Sequence, residues 1–182
     1  MQHDVYVEID NSALKHNFQQ VSDFAKLPVL AVVKANAYSH GTAGASKAFV
    51  EAGAWGLAVT RIEEAVEIRN AGVNAPVLLF SPVLPENAAD AVEMDLIMTV
   101  DNVDTVLAIS KAAAKQQKTA NVHVKIDTGM GRLGVYSESA VELFSNIASI
   151  QNVNISGTYT HFAKAIEKDI KYTQLQYSEF SS

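Results

Sequence analysis

The chain has 182 residues, enough for one domain with a real core and short of two comfortable ones. Hydrophobic residues make up 48% and charged residues 19%, the balance of an ordinary globular protein. The formal net charge of −6, with no basic stripe to offset it, gives no electrostatic attraction to nucleic acid or an anionic membrane. No apolar run approaches the roughly 20 residues that a membrane-spanning helix needs. There is no cysteine, so disulfides and thiolate chemistry are excluded. With only five histidines beside that, no metal site is expected. The opening MQHDVYVEID lacks a basic n-region and an apolar h-region, which argues against a secretory signal. Cytoplasm is the expected compartment.

Short β-type runs alternate with longer helical patterns along the whole chain. VYVEI (5–9) opens as a strand, and residues 11–26 read as a helix capped by Asn11 or Ser12, with Leu14, Phe18 and Val21 on one face. VLAVVK (29–34), WGLAVT (55–60), PVLLFS (76–81), DLIMTV (95–100), ANVHVKIDT (120–128) and NVNISGTYTHF (152–162) are of strand length and mostly apolar. Between them, helical patterns cover roughly 42–52, 61–71, 86–93, 102–117 and 137–149, and a last polar helix starts near Asp169.

Strands that are apolar on both faces belong to parallel sheets, and strands followed by helices make right-handed βαβ crossovers. The class is therefore α/β. A doubly wound sheet and a (β/α)8 barrel both fit, and AVVKANAYSHG is not the GxGxxG that a dinucleotide-binding sheet carries after its first strand. No linker, low-complexity tract or sequence repeat marks an internal boundary. The chain stops at QLQYSEFSS within a helical pattern. A barrel takes roughly 250 residues, so the expectation is either an open sheet or part of a longer protein.

Active sites of parallel α/β folds gather where strands end. VLAVVK ends in Lys34, KIDT ends in Asp127 and Thr128 before the loop GMGRLG, and GTYTHF ends near His161. A lysine behind five apolar residues is partly desolvated, which disfavours its charge, and a neutral amine is what covalent attack on a carbonyl needs. By position alone, a lysine at the rim pointing into water is the commoner outcome.

The string AVVKANAYSHG resembles the cofactor-lysine segment of alanine racemases, with Ser39 where the family usually has glycine. VKIDTGMGRLG (124–134) and GTYTHFAKAIEKD (157–169) are similar to two further family segments, although Ile166 departs from the usual small or acidic residue, and WGLAV (55–59) is family-like as well. The resemblance covers nearly the whole chain and its motifs come in the family's order. It implies a truncated TIM-type (β/α)8 barrel of about six βα units without the C-terminal β-domain, spanning residues 1–182 as a partial pyridoxal 5'-phosphate (PLP) binding domain. It also implies an isomerase that interconverts L- and D-alanine for peptidoglycan.

The resemblance further implies roles for single residues. Lys34 would bind PLP covalently and serve as one of two proton-transfer bases. Tyr38 would donate its hydroxyl to the cofactor phosphate, where a half-buried loop tyrosine is the plain alternative. Arg132 would face the substrate carboxylate and the cofactor's phenolic oxygen, for which its planar fork of donors is suited. His161 would pack against the cofactor ring, a task close to that of an ordinary hydrogen-bonded histidine. Lys125 matches a position that carries a carbamate in some family members, and a plain strand lysine is its alternative. Asp127 is expected to organise the turn before Gly129, Gly131 and Gly134, which let the backbone turn tightly; His40 and His123 are expected to be structural. In the family the second base is a tyrosine of the β-domain of a partner subunit, so a homodimer is implied, and the 182 residues by themselves are expected to be nearly inactive. A non-catalytic PLP-binding barrel protein and a racemase for serine, lysine or ornithine are the alternatives.

Overall fold

The apolar runs become strands with parallel neighbours; β2, β3 and β4 are buried throughout, as their composition suggests, while β1 and β7 are partly exposed. The computed structural model describes residues 5–182. The chain divides into two units, one through Leu78 and one from Leu79 onward.

In the first unit, residues 5–10 form no strand; Val5, Tyr6 and Val7 are exposed and no described strand pairs with them. Alternation alone does not make a strand, because its backbone groups need a partner. Helix α1 (Asn11–Ala25) is capped by Asp10 rather than by Asn11 or Ser12. The Asp10 carboxylate accepts from the backbone N–H of Ser12 at 2.8 Å and of Ala13 at 3.1 Å, and its charge suits a helix N-terminus. Phe18 is buried against Phe49, with 5.7 Å between ring centroids, a burial that contributes about 1.5–3 kcal/mol. Val21 is exposed on an open groove shared with Val29 and Val32.

Strand β1 (Leu30–Val32) pairs in parallel with β2 (Gly56–Val59), Leu30 opposite Gly56 and Val32 opposite Ala58. Every residue of β2 is buried. Between them lie α2 (Lys34–Ser39) and α3 (Thr42–Glu51), and after β2 comes α4 (Ile62–Asn70), which buries Ala65 and Ile68. Strand β3 (Val77–Leu79) spans the division between the units.

The second unit runs through α5 (Ala88–Glu93), β4 (Ile97–Val100), α6 (Val103–Lys115), β5 (Ala120–Asp127), β6 (Val135–Tyr136), α7 (Ser137–Ala148), β7 (Val153–Tyr159) and α8 (Lys171–Ser181). Strand β5 is its centre. It pairs in parallel with β4, Met98 opposite Val122, and with β7, Ala120 opposite Val153 and Lys125 opposite Tyr159. Its last residues pair with β6, a two-residue strand that carries no hydrophobic signature in the sequence. Helices α6 and α7 bury Val106, Ile109, Leu143 and Ile147.

One local feature has no counterpart in the sequence reading. Helix α2 is left-handed: Ala35, Asn36, Ala37, Tyr38 and Ser39 have φ of 53, 55, 49, 53 and 72°. None is glycine. For L-residues this conformation costs roughly 1–2 kcal/mol each, and it persists only where its surroundings hold it. The Ala37 N–H donates to the Val33 carbonyl at 2.9 Å and the Gly41 N–H to that of Asn36 at 3.0 Å. The Asn36 side-chain oxygen accepts from the Thr42 N–H at 3.0 Å.

Candidate active site

In the first unit, the end of β1 delivers Lys34 directly into the left-handed turn. Val33 is completely buried and its N–H donates to the Ala58 carbonyl at 2.9 Å, which fixes the backbone one residue before the lysine. Lys34 is half-buried, and among the described residues its amine has no hydrogen bond or ion pair. Tyr38, on the same turn, is exposed. His40 is exposed, and its Nδ1 lies 3.0 Å from the Ala37 carbonyl on the same turn.

Glu64, in the first turn of α4, is the acidic group of this region. Its carboxylate accepts from the N–H groups of Ala35, Thr60 and Arg61 at 2.6, 2.9 and 3.0 Å. Burial pushes its carboxyl up, yet these backbone donors outweigh burial and hold it below the ordinary glutamate range.

In the second unit, β5 carries the buried polar residues Lys125 and Asp127 near its end, and buried Thr128 follows it. Asp127 builds the loop that follows. Its carboxylate accepts from the N–H groups of Gly129 (2.9 Å), Met130 (2.8 Å) and Gly131 (2.9 Å). Burial opposes the charge, but the converging amides hold the carboxyl below its usual range. Gly134 is required: at φ 115°, a Cβ would lie 2.8 Å from the Asp127 nitrogen. Arg132, borne on this loop, is exposed.

Lys125 is almost wholly buried, and among the described residues its Nζ has no hydrogen-bond partner. Burial lowers its pKa; Asp127 and Asp101 act the other way and Arg132 reinforces the fall. Beside it, the Tyr159 hydroxyl meets Thr99 Oγ1 at 2.7 Å, and burial pushes the phenol up to about 12. His123 is half-buried, and burial lowers its pKa.

His161 follows β7 and is exposed. Its carbonyl accepts from Gln176 Nε2 at 3.1 Å, the same nitrogen lies 3.3 Å from Thr128 Oγ1, and Gln176 Oε1 accepts from the Ala163 N–H at 2.8 Å. One turn earlier on α8, the Tyr172 hydroxyl donates to the Gly129 carbonyl at 2.7 Å. Helix α8 thus ties the loop bearing Arg132 to the segment bearing His161. The sequence reading missed both Gln176 and Glu64. A polar helix hides which of its polar residues is buried, and an acidic residue in a helix's first turn suggests only the helix start.

Lys34 and Tyr38 therefore share one strained turn, while in the second unit Lys125 and Tyr159 face each other on β5 and β7 and Arg132 and His161 lie on the loops that follow. In the first unit an amine and a phenol lie on one turn after β1; in the second, a guanidinium and an imidazole follow the ends of β5 and β7. Among the described residues no group of three or more His, Asp or Glu could hold a metal ion, and no helix is long and apolar enough to cross a membrane.

Residues 9–182 match the family described as "Alanine racemase, N-terminal domain". An alanine racemase of Methanococcus maripaludis is 43% identical over 183 residues, covering 99% of this chain and 49% of that protein. Among solved structures, the alanine racemase of Bacillus anthracis with bound L-Ala-P gives a TM-score of 0.91 at 33% identity, covering all of this chain and 47% of that one. The histidine racemase of Leuconostoc mesenteroides gives 0.88 at 26% identity, with 95% and 47% covered. The chain spans about half the length of the curated relatives it matches.

Proposed function

We propose, since the chain belongs to the alanine racemase family of PLP-dependent amino-acid isomerases and has the fold of its N-terminal barrel portion, that the protein interconverts L- and D-alanine. The observation that carries this is Lys34: a half-buried amine without a partner among the described residues, held at the end of β1 on a left-handed turn with Tyr38. PLP, when bound, supplies an electron sink for the charge left by the departing α-proton. Lys34 would anchor it and take or return that proton on one face of the substrate. Tyr38 would donate to the phosphate. Arg132 would bind the substrate carboxylate and the cofactor's phenolic oxygen through its planar fork. His161 would pack on the cofactor ring, with Gln176 holding its backbone.

Racemisation needs a second base on the opposite face. The resemblance assigns it to a partner subunit, so the working protein would be a homodimer, cytoplasmic and supplying D-alanine to peptidoglycan. The 182-residue polypeptide alone would then have little activity.

A second reading, a racemase for another amino acid, is supported by the likeness to the histidine racemase. Assays of the whole protein with L- and D-alanine, histidine, serine, lysine and ornithine separate the two. Borohydride fixation should leave PLP on Lys34 in a peptide map, and Lys34→Ala should abolish both the label and turnover. A variant that still racemises alanine at the native rate would sink the assignment, as would wild-type turnover by residues 1–182 for the two-subunit reading.

A further inference from the structure

Glu64 does more than start its helix. Its Oε2 accepts from the N–H groups of Thr60 and Arg61, which is ordinary for an acidic residue in a first turn. Its Oε1 reaches 29 positions back along the chain and accepts from the Ala35 N–H at 2.6 Å. Ala35 is the first left-handed residue of α2 and the neighbour of Lys34. An N–H in the first turn of any helix has no acceptor within that helix, and this one finds Glu64. The strained conformation therefore has a specific external anchor at its Lys34 end, as Asn36 provides one toward Thr42 at the other.

We infer that Glu64 is a positioning residue for Lys34: its carboxylate ties the left-handed turn to the start of α4 through the Ala35 N–H, and so sets how the lysine leaves β1. The inference rests on the reading of Lys34 given above. Two acceptor oxygens are required, one for Ala35 and one for Thr60 and Arg61. Only a carboxylate of this length has both. The ionised form is favoured at Glu64, because three backbone donors outweigh its burial.

The test is Glu64→Gln in the whole protein. Glutamine keeps the size but turns an NH2 group toward one set of N–H donors. The variant should fold, and kcat per PLP-loaded site should fall by about ten- to a hundredfold, the range of a lost charge-assisted hydrogen bond. The rate at which added PLP becomes borohydride-fixed on Lys34 should fall with it, while KM changes less. Adding Ala35→Gly should recover part of the loss, since glycine takes positive φ without the Cβ penalty. Native kcat per loaded site and a native capture rate in Glu64→Gln would overturn the inference, even if its thermal stability dropped. Should Glu64→Gln not fold, hydrogen exchange of the unmodified protein decides. The Ala35 amide should be strongly protected, and exchange at the rate of a free amide would overturn the proposal. Lys34→Ala separates the two levels. If it loses the label while Glu64→Gln behaves as native, only the role of Glu64 falls; if it keeps the label, the reading of Lys34 falls first.

Discussion

Lys125 Nζ lies 5.0 Å from the centre of the Tyr159 ring, an aromatic face beside a buried amine that has no hydrogen-bond partner among the described residues. A cation–π contact offsets only part of the cost of burying a charge. The amine is accordingly shifted toward its neutral form by burial. A neutral amine can attack CO2 and lose a proton to form a carbamate, the modification that the family resemblance suggests. Protein equilibrated with 13C-bicarbonate should show a carbamate carbon that Lys125→Met lacks. Identical spectra from the two proteins would rule the modification out.

Gln176 is fully buried, and it is the joint between two site loops. Gln176→Leu removes the hydrogen bonds that Gln176 makes to the Ala163 N–H, the His161 carbonyl and Thr128 Oγ1. The expected loss is about 1–3 kcal/mol, at about 0.5–1.5 kcal/mol for each hydrogen bond of Gln176 that is given up. Urea unfolding should show it as a lower midpoint at unchanged slope. Gln176→Glu should lose a comparable amount, because a carboxylate cannot donate to the His161 carbonyl.

Two backbone positions should respond oppositely to the exchange of glycine and a larger residue. Ser39 holds φ of 72° without being glycine, so Ser39→Gly should stabilise the protein by about 1 kcal/mol as the Cβ strain is relieved. Gly134→Ala puts a Cβ 2.8 Å from the Asp127 nitrogen and 3.0 Å from the Lys125 carbonyl, so the loop must shift. Its cost should exceed about 2 kcal/mol. Thermal unfolding of the pair checks both signs.

Glu64 and Asp127 are both held below their ordinary pKa values, 4.5 and 3.8. A carboxylate with a depressed folded-state pKa binds fewer protons folded than unfolded, so stability rises with pH through that window. Their contribution should be complete above about pH 5 and should be lost as pH falls through the folded-state values. Unfolding free energy measured from pH 6 to 3 should fall, and Asp127→Asn should flatten part of that slope. An equal slope in the variant would assign the acid sensitivity elsewhere.

Much of the fold was legible because burial leaves a mark on composition. The six apolar runs became β1, β2, β3, β4, β5 and β7, and the helical patterns between them became helices with ends shifted by a residue or two. The shifts have local causes. Asp10 caps α1 because a carboxylate one residue earlier reaches the free amides first. The segment at residues 5–9 reads as a strand and is not one, because pairing is decided by a partner and not by alternation. Strand β6 was invisible, being two residues that pair only because Asp127 has folded the glycine loop back.

The sequence by itself determined the parallel α/β class, the strand ends at which Lys34, Asp127 and His161 stand, and the family to which the motifs belong. These depend on residue type and order, which burial and local turn chemistry translate directly. Only the tertiary structure decided that the turn after Lys34 is left-handed, that Glu64 anchors it, and that Gln176 joins the two loops of the second unit. Glu64 and Ala35 are 29 positions apart in the chain, and Gln176 and Thr128 are 48 apart. A polar side chain carries no record of such a partner until the chain has folded around it.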